Sequence, residues 1–285
     1  MNINKISPQD NGYTSLLGMV AKPPKSLYFI GKLPDRRRPT VAIVGTRKPT
    51  RYGKEVTERL AYDLASRGIV VVSGLALGVD GLAHRAALEA KGTTLAVLGN
   101  GLPDIYPSSH RQLADDIVAA GGAILTEYPE GMPSLSHQFL ERNRIVSGLA
   151  DAIIITEAAS RSGTLNTAAH ALEQGKEVFV VPGNITSPMS SGCNQLLKQG
   201  ATPVTCVEDV LEVIAPELLD AQHKLALGNT ELETEVLQLL HAGTRDGDEL
   251  QKQLKCSASD LSVALTMLEI HGAIRPLGAN QWALR

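Results

Sequence analysis

Arginine, lysine and glycine meet at one point early in the chain, in Gly45-Thr46-Arg47-Lys48, directly after the apolar run Val41-Ala42-Ile43-Val44. A second apolar run, Ile69-Val70-Val71-Val72, ends in Ser73-Gly74-Leu75-Ala76-Leu77-Gly78. Glycine in such turns allows close approach of a ligand and exposes N–H groups that can hold an anion, and Arg47 and Lys48 add positive charge. Either turn alone suits simple turn geometry; two of them with an arginine between favour a phosphate-bearing ligand. Ser162-Gly163-Thr164, a small turn with two hydroxyls ahead of a periodic apolar segment, is a third possible anion nest. The most heavily loaded stretch is His137-Gln138-Phe139-Leu140-Glu141-Arg142-Asn143-Arg144. An aromatic ring with flanking arginines is what a surface that stacks bases and holds phosphates needs, and the same residues also suit a core Phe beside two solvated arginines. His84 has no Ser or Cys nucleophile pattern beside it and reads as a packed or capping histidine. The run Arg36-Arg37-Arg38 reads as a solvated loop, or as part of the basic region around Arg47, to which it is close in sequence.

These residues need a scaffold, and the apolar periodicity supplies one. Between the first two strands, Tyr52 to Arg67 carries Val56, Leu60 and Leu64 at a spacing of four, an amphipathic helix. Strand, helix and strand with continuous apolar strands make the βαβ unit of a parallel sheet, in which ligands bind outside the carboxyl ends of the strands. Further strands are predicted over Thr94–Leu98, Ala123–Thr126, Ala152–Ile155 and Glu177–Val181. Each is followed by a loop and most by a helix, so all three anion turns and the start of the Phe139 helix fall at the carboxyl edge. The fold class is α/β: a parallel sheet with helices on both faces, plus a small C-terminal domain. Residues 1–39 form an N-terminal segment packing on the core, with a short strand at Leu27–Ile30. Residues 40–215 form the ligand-binding domain, 216–229 a polar linker, and 230–285 three helices followed by a hairpin, the winged-helix pattern.

Composition narrows the partners. The 285 residues carry a net charge of -3, so a phosphate site must be local. Residues 230–285 contain five Lys or Arg and eight Asp or Glu, and the third helix, Ser257 to Ile270, has neither Lys nor Arg. Phosphate contacts dominate duplex DNA affinity, so this module is expected to bind a partner or serve a structural role. The three cysteines show no metal-ligand spacing, the start MNINKISPQD lacks an apolar signal core, and no run reaches membrane-spanning length. A cytoplasmic protein without metal or cofactor is expected.

Six ordered motifs resemble the DprA (Smf) family, the bacterial DNA-processing protein A of natural transformation. They are VAIVGTR (41–47), SGLALGVDGLAHRAAL (73–88), LAVLGNGLPDIYP (95–107), FLERNRIVSGL (139–149), EAASRSGTLNTAAHAL (157–172) and VFVVPGN (178–184). The resemblance covers residues 11–214 and then the C-terminal module. It implies an extended Rossmann-like domain that binds single-stranded DNA without catalysis, protects incoming DNA, forms a homodimer and helps load the RecA recombinase. It also assigns DNA contacts to Arg47 and Lys48, to Ser73, Gly74 and Gly78, to Phe139, Arg142, Asn143 and Arg144, and to Ser162, Gly163 and Thr164. Two departures are expected: the start lies too near the core for the helical module that precedes it in many members, and the acidic third helix argues against duplex binding. Dimerisation could use apolar residues in Leu165–Leu172 or in Val207–Ile214.

The competing reading is a nucleotide phosphoribohydrolase of the type resembling lysine decarboxylases, which shares a Rossmann core and a Gly-Thr turn. In that type a Glu follows the turn. Here Asn166-Thr167 occupy that region, leaving Glu157 as the possible general acid or base. A dinucleotide oxidoreductase is disfavoured because Gly45-Thr46-Arg47-Lys48-Pro49 lacks GxGxxG.

Overall fold

A computed structural model describes residues 2–219 and 230–284. The chain divides into two compact units, Met1–Pro216 and Glu217–Arg285. The connector predicted over 216–229 lies mostly outside the described residues.

The first unit is built on nine strands: β1 (Asn4–Ile6), β2 (Leu27–Gly31), β3 (Thr40–Val44), β4 (Val70–Ser73), β5 (Thr94–Val97), β6 (Ala123–Thr126), β7 (Ala152–Ile155), β8 (Glu177–Val180) and β9 (Thr202–Pro203). Their order in the sheet is β1-β2-β6-β5-β4-β3-β7-β8-β9. All neighbours from β6 to β9 pair in parallel, while β2 pairs antiparallel with both β6 and β1. Every residue of β3, β4, β5, β6 and β7 is buried, as expected of strands covered on both faces. The covering helices are α1 (Arg51–Ser66), α2 (Val79–Glu89), α3 (Arg111–Ala119), α4 (Ser136–Leu149), α5 (Thr164–Glu173), α6 (Ser191–Lys198) and α7 (Glu208–Ile214). The fold is the α/β class read from the periodicity, and the strand and helix limits fall within two residues of those predicted.

Two features were not legible. β1 is a polar three-residue strand, Asn-Lys-Ile, with no pattern of its own, held by pairing with β2. The Arg36–Arg38 run does not join the basic region around Arg47. Arg37 pairs with Asp151 and donates to the Leu149 carbonyl, while Arg38 donates to Thr93 and the Gly68 carbonyl. These partners sit at the amino ends of the parallel strands. Five residues of β3 separate the run from Arg47, roughly 16 Å at the rise of a strand. The same end holds Tyr13, whose hydroxyl lies 3.0 Å from the Thr40 hydroxyl and whose ring is covered by Arg37. Burial pushes its phenol up to about 12, and this contact ties the N-terminal segment to the core.

The second unit packs α8 (Glu231–His241), α9 (Gly247–Leu254) and α10 (Ala258–Ile270) with the hairpin β10 (Ile274–Gly278) and β11 (Gln281–Leu284). Val236, Leu240, Leu250, Leu261, Leu265 and Ile274 form its core. Thr230, Asp246 and Ser257 cap the three helices through their side chains. The hairpin turns through Ala279 and Asn280, both at positive φ, the conformation that matches the twist of a tight hairpin. The outer face of α10 presents Val263, Met267 and Ile270 and no cation.

Candidate nucleic-acid interface

The chain leaves β3 for β4 on one side and later returns to place β7 on the other. The carboxyl ends of β3 and β7 are therefore the topological switch point, where open α/β sheets bind ligands. The loops that follow these strands touch: the Thr46 amide donates to the Glu157 carbonyl at 2.7 Å. Arg47 and Lys48 stand exposed at this point, with Arg51 exposed in the first turn of α1. The second turn backs onto them. Gly78 has φ +79, and a Cβ there would lie 2.4 Å from the Thr46 carbonyl oxygen and 2.6 Å from the Arg47 carbonyl carbon. Only glycine lets the two turns meet this closely. The Val79 amide completes the contact by donating to the Thr46 carbonyl at 3.1 Å.

Glu157, the carboxylate left open to the phosphoribohydrolase reading, is 2% exposed. One of its oxygens accepts from the Thr50 amide at 2.8 Å and the other from the Thr50 hydroxyl at 2.7 Å. Thr50 is the N-cap of α1, accepting from the Gly53 amide. Glu157 thus braces a helix start from the neighbouring strand, and its oxygens are engaged in that bracing.

The Phe139 segment is divided by the phase of α4. Phe139 is half-buried, lies against Gly99 at the end of β5, and meets the exposed ring of Tyr106 at 5.2 Å between centroids and 44° between planes. Arg142, three residues on, follows Phe139 on the same face but reaches inward. It is 5% exposed and donates to the carbonyls of Gly74, at 2.6 Å, and Val97. Asn143 bridges to Asn166 at 3.3 Å, joining α4 to α5. Arg144 points elsewhere, because residues two apart on a helix do not share a face. It makes a two-pronged ion pair with Glu127, both contacts at 2.6 Å, and donates to the Lys22 carbonyl. There it borders a cavity of about 430 Å³ together with Lys22, Leu140, Asn166 and His170.

Of the residues expected to contact DNA, Arg142 is thus buried beneath the strand ends and Arg144 is paired with Glu127. Ser73 and Gly74 are also buried, and the Ser73 hydroxyl donates to the Ile43 carbonyl at 2.6 Å. Burial pushes the Arg142 guanidinium down to about 10, opposed chiefly by Asp80. Burial likewise raises the Asp80 carboxyl, against the pull of Arg142 and the Ala76 and Gly74 amides.

Ser162, Gly163 and Thr164 open α5 beyond the end of β7. The Ser162 hydroxyl lies 2.9 Å from the Thr164 hydroxyl and accepts from the Thr164 amide at 3.2 Å. Leu140 reaches the same turn, since a Cβ on Gly163 would lie 3.8 Å from its methyl group. Arg161 is exposed just ahead of it. Tyr106 and Arg161, not singled out from sequence, are exposed on these loops. A tyrosine between two prolines at the carboxyl end of a strand was the available signal for Tyr106; Arg161 had only its place beside the hydroxyl turn.

A mostly parallel sheet covered by helices on both faces, with an appended winged helix, defines a Rossmann-like α/β protein. The chain belongs to the DNA recombination-mediator protein A family, whose sequence model matches residues 4–215, and the DprA winged helix domain matches residues 220–280. It is 46% identical to Protein Smf of Escherichia coli over 189 residues, 66% of this chain and 50% of that protein. It is 40% identical to DNA processing protein DprA of Bacillus subtilis over 213 residues, 74% of this chain and 71% of that protein. The chain therefore spans half the length of the first relative and about 71% of the second. Among solved structures, DprA of Streptococcus pneumoniae superposes with a TM-score of 0.69 at 37% identity, covering 75% of each chain. DNA processing protein A of Helicobacter pylori, described for its single-stranded DNA binding mode, gives 0.66 at 32% identity, covering 76% of this chain and 97% of that one.

Proposed function

We propose that the chain binds single-stranded DNA without catalysing a reaction, protects incoming strands, and helps load the RecA recombinase during natural transformation, acting as a homodimer. The carrying observation is the arrangement along one sheet edge. Exposed Arg47 and Lys48 stand at the end of β3, and the Phe139–Tyr106 pair stands at the end of β5, two strands away. At strand spacing these lie roughly 10 Å apart, so a backbone held by the cations can lay bases on the rings. Gly78 and the Ser162–Thr164 turn border the same edge, and Asn143 ties α4 to α5 behind it.

The single-stranded binding mode described for the H. pylori relative supports this reading, and so does the absence of cations on α10, which disfavours duplex DNA. RecA loading and the homodimer rest on family resemblance. Exposed Leu172 and Val213 leave both helices considered for dimerisation available. The two hydrogen bonds from Thr50 that occupy the Glu157 oxygens weigh against the phosphoribohydrolase alternative. An electrophoretic shift assay with RecA, single-stranded DNA and its binding protein tests the loading role. Faster RecA filament formation with the chain present supports it, and an unchanged rate rejects it.

A further inference from the structure

Among the charged residues of α4, only Arg142 is buried. Its surroundings are built for it. A Cβ on Gly74 would fall 2.4 Å from a terminal guanidinium nitrogen, so the side chain fills the space that glycine leaves. Gly74 and Val97 lie one residue beyond the last β4–β5 pair, Ser73 with Ala96, and Arg142 donates to both of their carbonyls. Asp80 holds the same turn from the other side, its Oδ2 accepting from the Gly74 amide at 3.1 Å and the Ala76 amide at 3.3 Å. The turn 74–78 is thus gripped by a cation on its carbonyl and an anion on its amides. Its far end, Gly78, is the residue pressed against the Thr46–Arg47 backbone.

Buried charged groups add little to stability compared with apolar packing, and when fully hydrogen-bonded they serve to fix one geometry. We propose that Arg142 and Asp80 are positioning residues for the anion site: they hold turn 74–78 against the Thr46–Arg47 backbone and so set the direction from which Arg47 meets a phosphate. Arg142 itself touches no phosphate. This rests on the reading of Arg47 as a phosphate contact. It assigns the second arginine-bearing motif to shaping the first.

The test uses the full chain, a fluorescein-labelled oligothymidylate and anisotropy over a salt series. Variants are Arg47→Ala, Arg142→Lys, Arg142→Gln, Asp80→Asn, and Arg47→Ala combined with Arg142→Lys. Arg142→Lys keeps the charge but places its ammonium one bond short of the guanidinium nitrogen that bridges both carbonyls. It is expected to weaken binding roughly tenfold in the wild-type background, within the range for residues coupled through one network. In the Arg47→Ala background the same change costs less than about twofold, because there is no longer a guanidinium to aim. Asp80→Asn behaves alike, and hydrogen exchange of the amides from 74 to 79 quickens in both. Should Arg142→Gln fail to fold, Arg142→Lys and Asp80→Asn carry the test.

The inference is overturned if Arg142→Lys binds like wild type, or if its effect is the same with and without Arg47. It is also overturned if Arg142→Gln lowers the salt slope by about 0.7 in both backgrounds, the mark of a direct phosphate contact. In these cases Arg47→Ala still weakens binding, and the wider reading stands. If Arg47→Ala binds as well as wild type, the phosphate reading fails and this inference fails with it.

Discussion

Replacing Arg47 by alanine removes an exposed guanidinium that takes no part in the core. Binding to single-stranded DNA is expected to weaken, with the salt slope falling by about 0.7, one phosphate's worth. Anisotropy at several salt concentrations reads both quantities, and the melting temperature should not change. Phe139→Ala and Tyr106→Ala remove stacking surface instead. Each is expected to cost ~1–3 kcal/mol of binding while leaving the salt slope intact. An aromatic residue restored at either position should recover most of the loss. At this scale the sequence was partly readable. The places of Arg47 and Phe139 at the carboxyl ends of the strands were readable, because each directly follows or opens an element with a clear apolar pattern. Arg142 and Arg144 could not be sorted by type. Their roles follow from helical phase and from two partners, Gly74 and Glu127, that are distant in sequence and meet them only in the fold.

Elements carry the next predictions. His84 on α2 is fully buried, its Nδ1 2.7 Å from the Thr94 hydroxyl of β5, and its Nε2 is buried without a partner. Burial, with His110, Arg142 and Arg85 nearby, lowers its pKa from 6.5 to about 3. The folded form therefore holds His84 neutral, while the unfolded chain takes up a proton as pH falls through 6.5. Stability is full above that value and declines down to about pH 3. Between pH 7 and pH 5 this group alone costs about 2 kcal/mol. Urea denaturation at the two pH values should show that loss in wild type and a smaller one in His84→Asn. The buried guanidinium predicts a second asymmetry. Arg142→Met leaves the Gly74 and Val97 carbonyls without their donor and is expected to cost ~1–3 kcal/mol, whereas Arg51→Met at an exposed position changes stability by less than about 0.5 kcal/mol. Denaturant midpoints of the two variants decide it. The strands themselves were legible, because runs such as Val70-Val71-Val72 admit little besides a buried strand. β1 was not, since a polar edge strand takes its conformation from its neighbour.

For the whole molecule, a net charge of -3 and a switch point carrying Arg47, Lys48 and Arg51 mean that attraction for DNA is local. The winged-helix unit is acidic, and α10 offers Val263, Met267 and Ile270 where a duplex reader would need cations. Substituting Val263→Glu and Met267→Glu is expected to leave single-stranded DNA affinity within about twofold, because α10 offers no cation to a phosphate. A larger change would bring that unit into the interface. The order of elements and the division into a sheet domain and a small helical unit were readable from periodicity. The placing of Arg36–Arg38 was not, because a parallel strand carries neighbours in sequence to opposite edges of a sheet.

The measurement that bears most directly on the central claim is a paired titration. Labelled single-stranded and duplex oligonucleotides of equal length are bound by wild type and by the Arg47→Ala/Phe139→Ala variant, at low and at high salt. The account predicts a clear preference for the single strand, weakening with salt, and its loss in a variant that melts like wild type. Equal affinity for duplex and single strand, or a variant that binds as well as wild type, would contradict it.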